Sequence, residues 1–156
     1  MIKVSSTPKI EVLSFEKVIV KKIIDGDTIQ AKFTDSFTRT IHLDGVDSLD
    51  IEEDIGIEAF EYIESLITPG STIYIESDNI KKDRNNGHYL YYVWLEPPTN
   101  RNDNEIRTLM LNALLLQNGY AKMDTNNARY VQPFIKYQNE AKENKCGLWE
   151  YAELAT

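Results

Sequence analysis

The feature that most constrains the fold is a β-rich run from Val18 to Asp47 that two turn signals interrupt. The turn signals are Asp25-Gly26 and Thr34-Asp35-Ser36, residue types that favour tight reversals between strands. The run therefore predicts three strands in succession. Their approximate bounds are residues 16–24, 27–33 and 37–44.

A helix and two further strands follow this run. Residues 56–67 carry apolar side chains at helical spacing, and Pro69-Gly70 ends the helix. The predicted inner face of the helix consists of Ile57, Phe60, Ile63 and Ile67. The two strands are predicted at about 71–77 and 89–95, with a long loop or hairpin between them.

Two more helices complete the pattern. The first carries apolar residues from Ile106 to Leu114, and Gly119 suits the left-handed cap that ends a helix. The second is predicted to run from about Val131 to Asn144. Its predicted inner face consists of Val131, Phe134, Ile135 and Ala141.

These elements predict an α+β fold, since five strands are enough for a small closed barrel. The OB-fold is the commonest five-stranded solution, although periodicity alone leaves other arrangements open. We therefore expect an OB-fold five-stranded β-barrel with three packed α-helices over residues 15–150. Residues 1–14 are expected to form a flexible N-terminal arm and residues 151–156 a C-terminal tail, with no repeat or composition break to indicate a second domain.

The charge and composition of the chain limit its ligands and its location. A net charge of −8 repels phosphates, so binding of single-stranded DNA or RNA is expected to be weak and to need a local patch or a bound cation. A protein partner also stays open. Cys146 is the single cysteine, which excludes a disulfide framework. No stretch approaches the roughly 20 apolar residues of a membrane span, and the N-terminus lacks the apolar core of a signal peptide. We expect a cytoplasmic monomer, although a chain trimmed of a leader would look the same.

Six short motifs occur in an order that resembles one known family. The motifs are IIDGDT at 23–28, IHLDGVDSLD at 41–50, GIEAF at 56–60, DRNNGHYLYYVW at 83–94, LNALLLQNGYAK at 111–122 and KCGLWE at 145–150. Their order and spacing resemble the staphylococcal nuclease family, whose fold is an OB-type barrel with packed helices. The resemblance covers about residues 15–150. A single D-G-D-T is common by chance, whereas six motifs in order indicate the fold specifically.

The resemblance implies a calcium site. In the family, two aspartates and a backbone carbonyl hold the ion, and these ligands fall on Asp27, Asp47 and the carbonyl of Ser48. Hard cations prefer several oxygen ligands, which two carboxylates at neighbouring strand ends could supply. The alternative is that Asp25-Gly26 and Asp47-Ser48 are ordinary turns, in which aspartate makes local hydrogen bonds.

The resemblance also implies a carboxylate that positions the attacking water. Asp50 stands in place of the family's glutamate, and its side chain reaches one methylene less far, which weakens a group that needs hydrogen-bond reach to the water. Leu49 replaces the proline that precedes the glutamate in the family. The alternative is a solvated acidic loop that continues through Glu52, Glu53 and Asp54.

Histidine occupies both positions of the arginines that hold the scissile phosphate in the family. These residues are His42 and His88, the two histidines of the chain. Arginine binds phosphate oxygens through a planar, always charged fork, whereas an imidazole is partly neutral at neutral pH. Strand alternation would place Asp44 beside His42, where its carboxylate could keep the imidazole charged. Two unrelated surface histidines are the alternative, and Arg84 is a candidate substitute for the lost loop arginine.

The nucleotide-packing tyrosines of the family are missing as well. Asn86, Thr125 and Asn127 occupy those positions, while Lys81 and Lys82 remain near the expected cleft. Two functions stay open. The first is a weak calcium-dependent phosphodiesterase that hydrolyses DNA or RNA. The second is a catalytically degenerate nuclease-fold module that binds a protein, an oligonucleotide or another ligand. Calcium binding separates the two, because only the enzyme requires it.

Overall fold

The computed structural model describes residues 15–48, 54–77, 89–124 and 129–151. The strands in these parts are β1 (Phe15–Asp25), β2 (Thr28–Lys32), β3 (Thr38–Leu43), β4 (Val46–Ser48), β5 (Thr72–Glu76), β6 (Tyr89–Trp94) and β7 (Ala121–Met123). The helices are α1 (Asp54–Leu66), α2 (Asp103–Leu109), α3 (Leu111–Gln117), α4 (Val131–Glu143) and a 3₁₀ helix over Gly147–Tyr151. The predicted arm and most of the predicted tail lie outside these residues.

Five of the strands form a closed barrel in the order β1-β2-β3-β6-β5. All neighbours are antiparallel except β3 and β6, which are parallel. A separate antiparallel pair, β4 with β7, lies beside the barrel. The barrel with its packed helices confirms the predicted α+β fold of the OB type.

Strand β1 shows how the barrel separates its interior from its surface. Val18 and Val20 are fully buried, whereas Lys17, Ile19 and Lys21 between and beside them are exposed. This alternation follows from the two-residue period of a strand, which sends successive side chains to opposite faces. The apolar face of β1 therefore fills the barrel, and the lysines lie outside it.

The predicted helix around 106–114 is two helices in the structure. Met110 between α2 and α3 has an extended backbone with φ −94° and ψ 119°, and it forms an isolated antiparallel bridge with Trp94 of β6. Both side chains are fully buried. The described residues thus hold four α-helices instead of the expected three, because a tertiary contact interrupts a pattern that reads as continuous helix.

Two residues predicted to face inward are exposed instead. Ile57 and Ile135 are each 40% exposed, so these two assignments are wrong. In α1 the buried residues are Gly56, Ala59 and Ile63. The methyl group of Ala59 would lie only 3.0 Å from a Cβ placed on Gly26. Small residues let this helix approach the barrel closely, which rotates Ile57 away from the core.

A buried carboxylate lies at the end of β5. The carboxylate of Glu76, 2% exposed, accepts hydrogen bonds from Trp94 Nε1 (2.8 Å) and from the Tyr130 hydroxyl (2.9 Å). It also pairs with Arg101 Nη1 at 2.7 Å and with Arg129 Nη1 at 2.8 Å. Burial, followed by the charge of Glu76, raises the pKa of the Tyr130 hydroxyl. The network joins the barrel to the segments that precede α2 and α4.

Two glycines join the C-terminal 3₁₀ helix to the end of α3. Gly119 and Gly147 have φ values of +71° and +54°, a region that residues with a Cβ rarely adopt. The N–H of Leu148 donates to the Gly119 carbonyl at 2.9 Å. Gly119 is thus the predicted helix-ending glycine. Among the described residues, no helix is long and apolar enough to cross a membrane.

Candidate active site

The turn between β1 and β2 holds Asp27 through local hydrogen bonds. The Asp27 N–H donates to Asp25 Oδ1 at 3.0 Å, and the Thr28 hydroxyl donates to Asp27 Oδ1 at 2.9 Å. The Asp27 carbonyl accepts from the N–H of Leu43, the last residue of β3. The D-G-D-T motif is therefore a turn between two strands with local aspartate hydrogen bonds. The same turn places the carboxylates of Asp25 and Asp27 next to each other.

Ser48 at the end of β4 is joined directly to this turn. Its N–H donates to Asp27 Oδ2 at 3.1 Å, across 21 residues of sequence. A Cβ on Gly26 would lie 2.8 Å from Ser48 Oγ and 2.9 Å from Ser48 Cβ. Glycine at position 26 is thus what lets β4 lie against the turn.

The two carboxyl groups of the turn share a partly buried space. Burial, followed by a hydrogen bond that the protonated Asp27 carboxyl donates to the Asp25 side chain, raises the pKa of Asp27 to about 7. Burial acts in the same direction on Asp25, but its hydrogen bonds to Asp27 and Thr28 and the charge of His42 outweigh burial and lower its pKa. Two acidic groups in one desolvated space favour sharing a proton or binding a cation.

His42 belongs to the same neighbourhood. It lies in β3 opposite Thr28 of β2, and its imidazole is near enough to Asp25 to influence that carboxyl. Asp44, the partner proposed from strand alternation, lies one residue beyond the end of β3 and is 3% exposed. Its backbone N–H donates to the Tyr91 carbonyl, and its own carbonyl accepts from Asn112 Nδ2 at 2.8 Å.

Asp47 lies in β4 next to Ser48, opposite Lys122 of β7, and is exposed. Among the residues that the structure describes, no three histidine, cysteine, aspartate or glutamate side chains form a group able to hold a metal ion. The donor types nevertheless suit calcium, since the neighbourhood offers carboxylate and carbonyl oxygens. Asp27, Asp47 and the Ser48 carbonyl are the residues that would hold the ion.

The structure brings together Asp27, Ser48 and His42, and it adds Asp25, which the sequence analysis treated only as part of a turn. The signal for Asp25 was its place two residues before Asp27. The remaining predicted site positions lie outside the described residues. They are Asp50, His88, Arg84, Lys81, Lys82, Asn86, Thr125 and Asn127.

Comparison with known proteins identifies the family of the chain. A family model described as staphylococcal nuclease homologue matches residues 40–151, well over half of the chain. The chain belongs to the staphylococcal nuclease homologue family. One curated relative, the uncharacterized protein MJ1439 of Methanocaldococcus jannaschii, is 26% identical over 155 residues, covering 85% of this chain and 71% of the relative.

The family match gives a general expectation about calcium. Staphylococcal nuclease homologues generally depend on calcium. The matched region begins at Thr40 and so includes His42, Asp47 and Ser48 but not Asp25 or Asp27. The three-dimensional contact from Ser48 to Asp27 joins the matched part of the chain to the two strands that precede it.

Proposed function

We propose that this nuclease homologue is a calcium-dependent phosphodiesterase that cleaves single-stranded DNA or RNA slowly. The observation that carries the proposal is the partly buried Asp25–Asp27 pair, bonded to the Ser48 N–H and adjacent to His42. An acidic pair in a partly desolvated space has little structural benefit by itself, because each charge raises the cost of the other. A bound cation removes that cost.

In this proposal each residue has a separate role. Asp27, Asp47 and the Ser48 carbonyl hold calcium, which supplies positive charge to the phosphate. Asp50 orients the attacking water, and its carboxylate accepts a proton from that water. His42 and His88 donate hydrogen bonds to the phosphate oxygens when their imidazoles are protonated.

The histidines are the reason to expect slow turnover. Removing one preorganised donor to a developing oxyanion costs on the order of 100- to 1,000-fold in rate, and an imidazole replaces an arginine only in its protonated form. Two such losses within one unit need not multiply. The same replacements and the net charge of −8 favour a second candidate, a nuclease-fold module that binds ligands without cleaving them.

Calcium binding comes first in the test. The melting temperature of the wild type should rise with calcium. At calcium concentrations of about 10 to 100 times the Kd, binding should add on the order of 1–3 kcal/mol to the free energy of unfolding. Asp27→Asn should abolish the calcium-dependent rise. Asp35→Asn is the matched control, because Asp35 is an exposed aspartate of the β2–β3 turn that pairs with Arg39 at 2.6 Å. It should respond to calcium as the wild type does.

Cleavage of an end-labelled single-stranded oligonucleotide then separates the two candidates. The enzyme should cleave with calcium and stop when a chelator is added. The paired substitution of His42→Arg and His88→Arg should raise the rate, because it restores two permanent positive charges. If calcium neither shifts the melting temperature nor supports cleavage, and the arginine pair stays inactive, the binding module becomes the better description.

A further inference from the structure

The outer surface of β1 and β2 carries positive charge that the chain as a whole lacks. Lysine side chains point outward from these strands while the apolar residues beside them fill the barrel. All four of these lysines are exposed. We define the lysine face as Lys17, Lys21, Lys22 and Lys32. Four positive charges on one side of a protein with a net charge of −8 are a marked local asymmetry.

Strand register makes this face continuous with the candidate active site. Residues opposite one another on neighbouring strands present their side chains on the same side of the sheet. Successive rows are two residues apart on β2 and β3, about 6.6 Å along the strands. On β1 they are three residues apart, because irregularities in the pairing lie between Val20 and Lys22 and between Ile23 and Asp25. The rows on this side of β1, β2 and β3 are Ile19–Lys32–Thr38, Lys22–Gln30–Thr40 and Asp25–Thr28–His42, and in the last row Thr28 is buried. The lysine rows thus lead directly to the row that contains His42.

Within residues 15–48, 54–77, 89–124 and 129–151, no ion pair joins any of the four lysines to a carboxylate. The nearby carboxylates have other partners. Glu16 accepts a hydrogen bond from the Thr34 hydroxyl at 2.9 Å, and Asp35 pairs with Arg39. The ammonium groups therefore remain available to an anionic ligand.

We propose that the lysine face binds the sugar-phosphate backbone of a single-stranded nucleic acid and directs it toward His42. This inference rests on the proposed function, because it assigns the path of that enzyme's substrate. Lysines spaced along an open sheet match a repeating phosphate chain, and Gln30, Thr38 and Thr40 between them add hydrogen-bonding groups.

An anionic membrane is the competing occupant for a basic surface. A membrane-binding face needs apolar side chains that enter the lipid in addition to charge. The exposed large hydrophobic residues here are Ile19 within the rows, at 36% exposure, and Phe37 in the turn before Thr38, at 66%. The other exposed residues of the rows are lysine, threonine and glutamine, so the apolar area offered to lipid is small. Charge complementarity and continuity with the His42 row favour nucleic acid.

The test is fluorescence anisotropy with a labelled single-stranded DNA of about 12 nucleotides, a length within the range that one OB-fold covers. A calcium chelator in the buffer prevents cleavage. The test variant combines Lys22→Gln with Lys32→Gln. The matched control combines Lys136→Gln with Lys142→Gln, which removes the same charge from two exposed positions of α4. The main contacts of this helix are with α3, β7 and the 3₁₀ helix.

Loss of two phosphate contacts should reduce the slope of log K against log salt concentration by about 1.4, where K is the association constant. At about 0.1 M salt this difference corresponds to roughly 25-fold weaker binding. The α4 control should stay close to the wild type. Equal weakening in both variants would show that net charge acts instead of this face, and an unchanged Lys22/Lys32 variant would overturn the assignment. So would a wild type that ignores the oligonucleotide but sediments with phosphatidylserine vesicles through the same lysines.

The binding and cleavage measurements distinguish failure of this inference from failure of the proposed function. Lysine-dependent binding without any calcium-dependent cleavage would refute the phosphodiesterase while leaving the nucleic-acid site in place. Conversely, cleavage whose KM is the same in the wild type and in the Lys22/Lys32 variant would support the phosphodiesterase and remove the lysine face from the substrate path.

Discussion

Replacing Glu76 by glutamine tests how much the buried network at the end of β5 stabilises the fold. The substitution keeps the shape of the side chain but removes its charge. Arg101 and Arg129 then lose the anion that they share. An amide group takes the place of the carboxylate that accepts from the Trp94 N–H and the Tyr130 hydroxyl. Glutamine keeps only one acceptor oxygen. If that oxygen accepts from Trp94 Nε1, the NH2 group faces both arginines, and if it is turned toward the arginines, the NH2 group faces the indole N–H; neither a guanidinium nor an indole N–H can accept.

The expected cost follows from burial. Breaking a fully buried ion pair costs about 3–5 kcal/mol because one charge is left uncompensated. Here the carboxylate is 2% exposed, but the side chains of Arg101 and Arg129 are 26% and 36% exposed, so water partly solvates them after the change. We therefore expect Glu76→Gln to lower the free energy of unfolding by about 2–4 kcal/mol. For a chain of this length the melting temperature should fall by about 10 °C.

Urea unfolding followed by circular dichroism measures the difference. Glu140→Gln is the matched control, because Glu140 forms a two-pronged pair with Arg107 but its side chain is 38% exposed. Exposed pairs contribute about 0.2–1 kcal/mol, so the control should lose much less than the Glu76 variant. If Glu76→Gln costs no more than Glu140→Gln, the argument from burial is wrong, and the network contributes to geometry instead of stability.

Three further predictions concern local geometry. Gly26→Ala should destabilise by about 1–3 kcal/mol, seen as a lower urea midpoint, because the new methyl group would lie 2.8 Å from Ser48 Oγ. Gly119→Ala should cost at least about 2 kcal/mol in the same assay, since its Cβ would meet the Cys146 carbonyl oxygen at a positive φ; an unchanged midpoint would contradict this. Glu105 has its pKa lowered to about 2, first by the Thr99 hydroxyl and then by backbone N–H groups. Its stabilisation is complete above about pH 4.5 and is lost as pH falls toward 2, so Glu105→Gln should melt lower than the wild type at pH 6 but at nearly the same temperature near pH 2.

Local chemistry explains why the first half of the barrel was predictable. The turns at Asp25-Gly26 and at Thr34-Asp35-Ser36 lie where the sequence places them, and the structure joins β1 to β2 and β2 to β3 there. The interruption at Met110 could not be foreseen, because it depends on a bridge to Trp94, a residue 16 positions earlier in the chain. Periodicity describes one segment at a time and contains no information on such contacts.

The candidate site was predictable to a similar depth. Asp27, Ser48 and His42 followed from motif order, whereas the role of Asp25 depends on the register of β1 with β2 and on its nearness to His42. The lysine face was hidden for a different reason. Summing charges over the chain gives −8 and conceals that Lys22 and Lys32 share one side of a sheet, a fact that only the strand pairing supplies.

The closed barrel also determines which strands a fragment of this chain must contain in order to fold. Strand β1 pairs with both β2 and β5, although the family match begins only at Thr40, within β3. A fragment trimmed to the matched residues would lack β1 and β2. Strand β5 would then have no partner on its β1 side, and the remaining part of β3, which includes Ile41, would have none on its β2 side. Exposed edges of this kind recruit strands from other molecules. Such a fragment should therefore aggregate, and an inactive aggregate would say nothing about the chemistry of the intact protein.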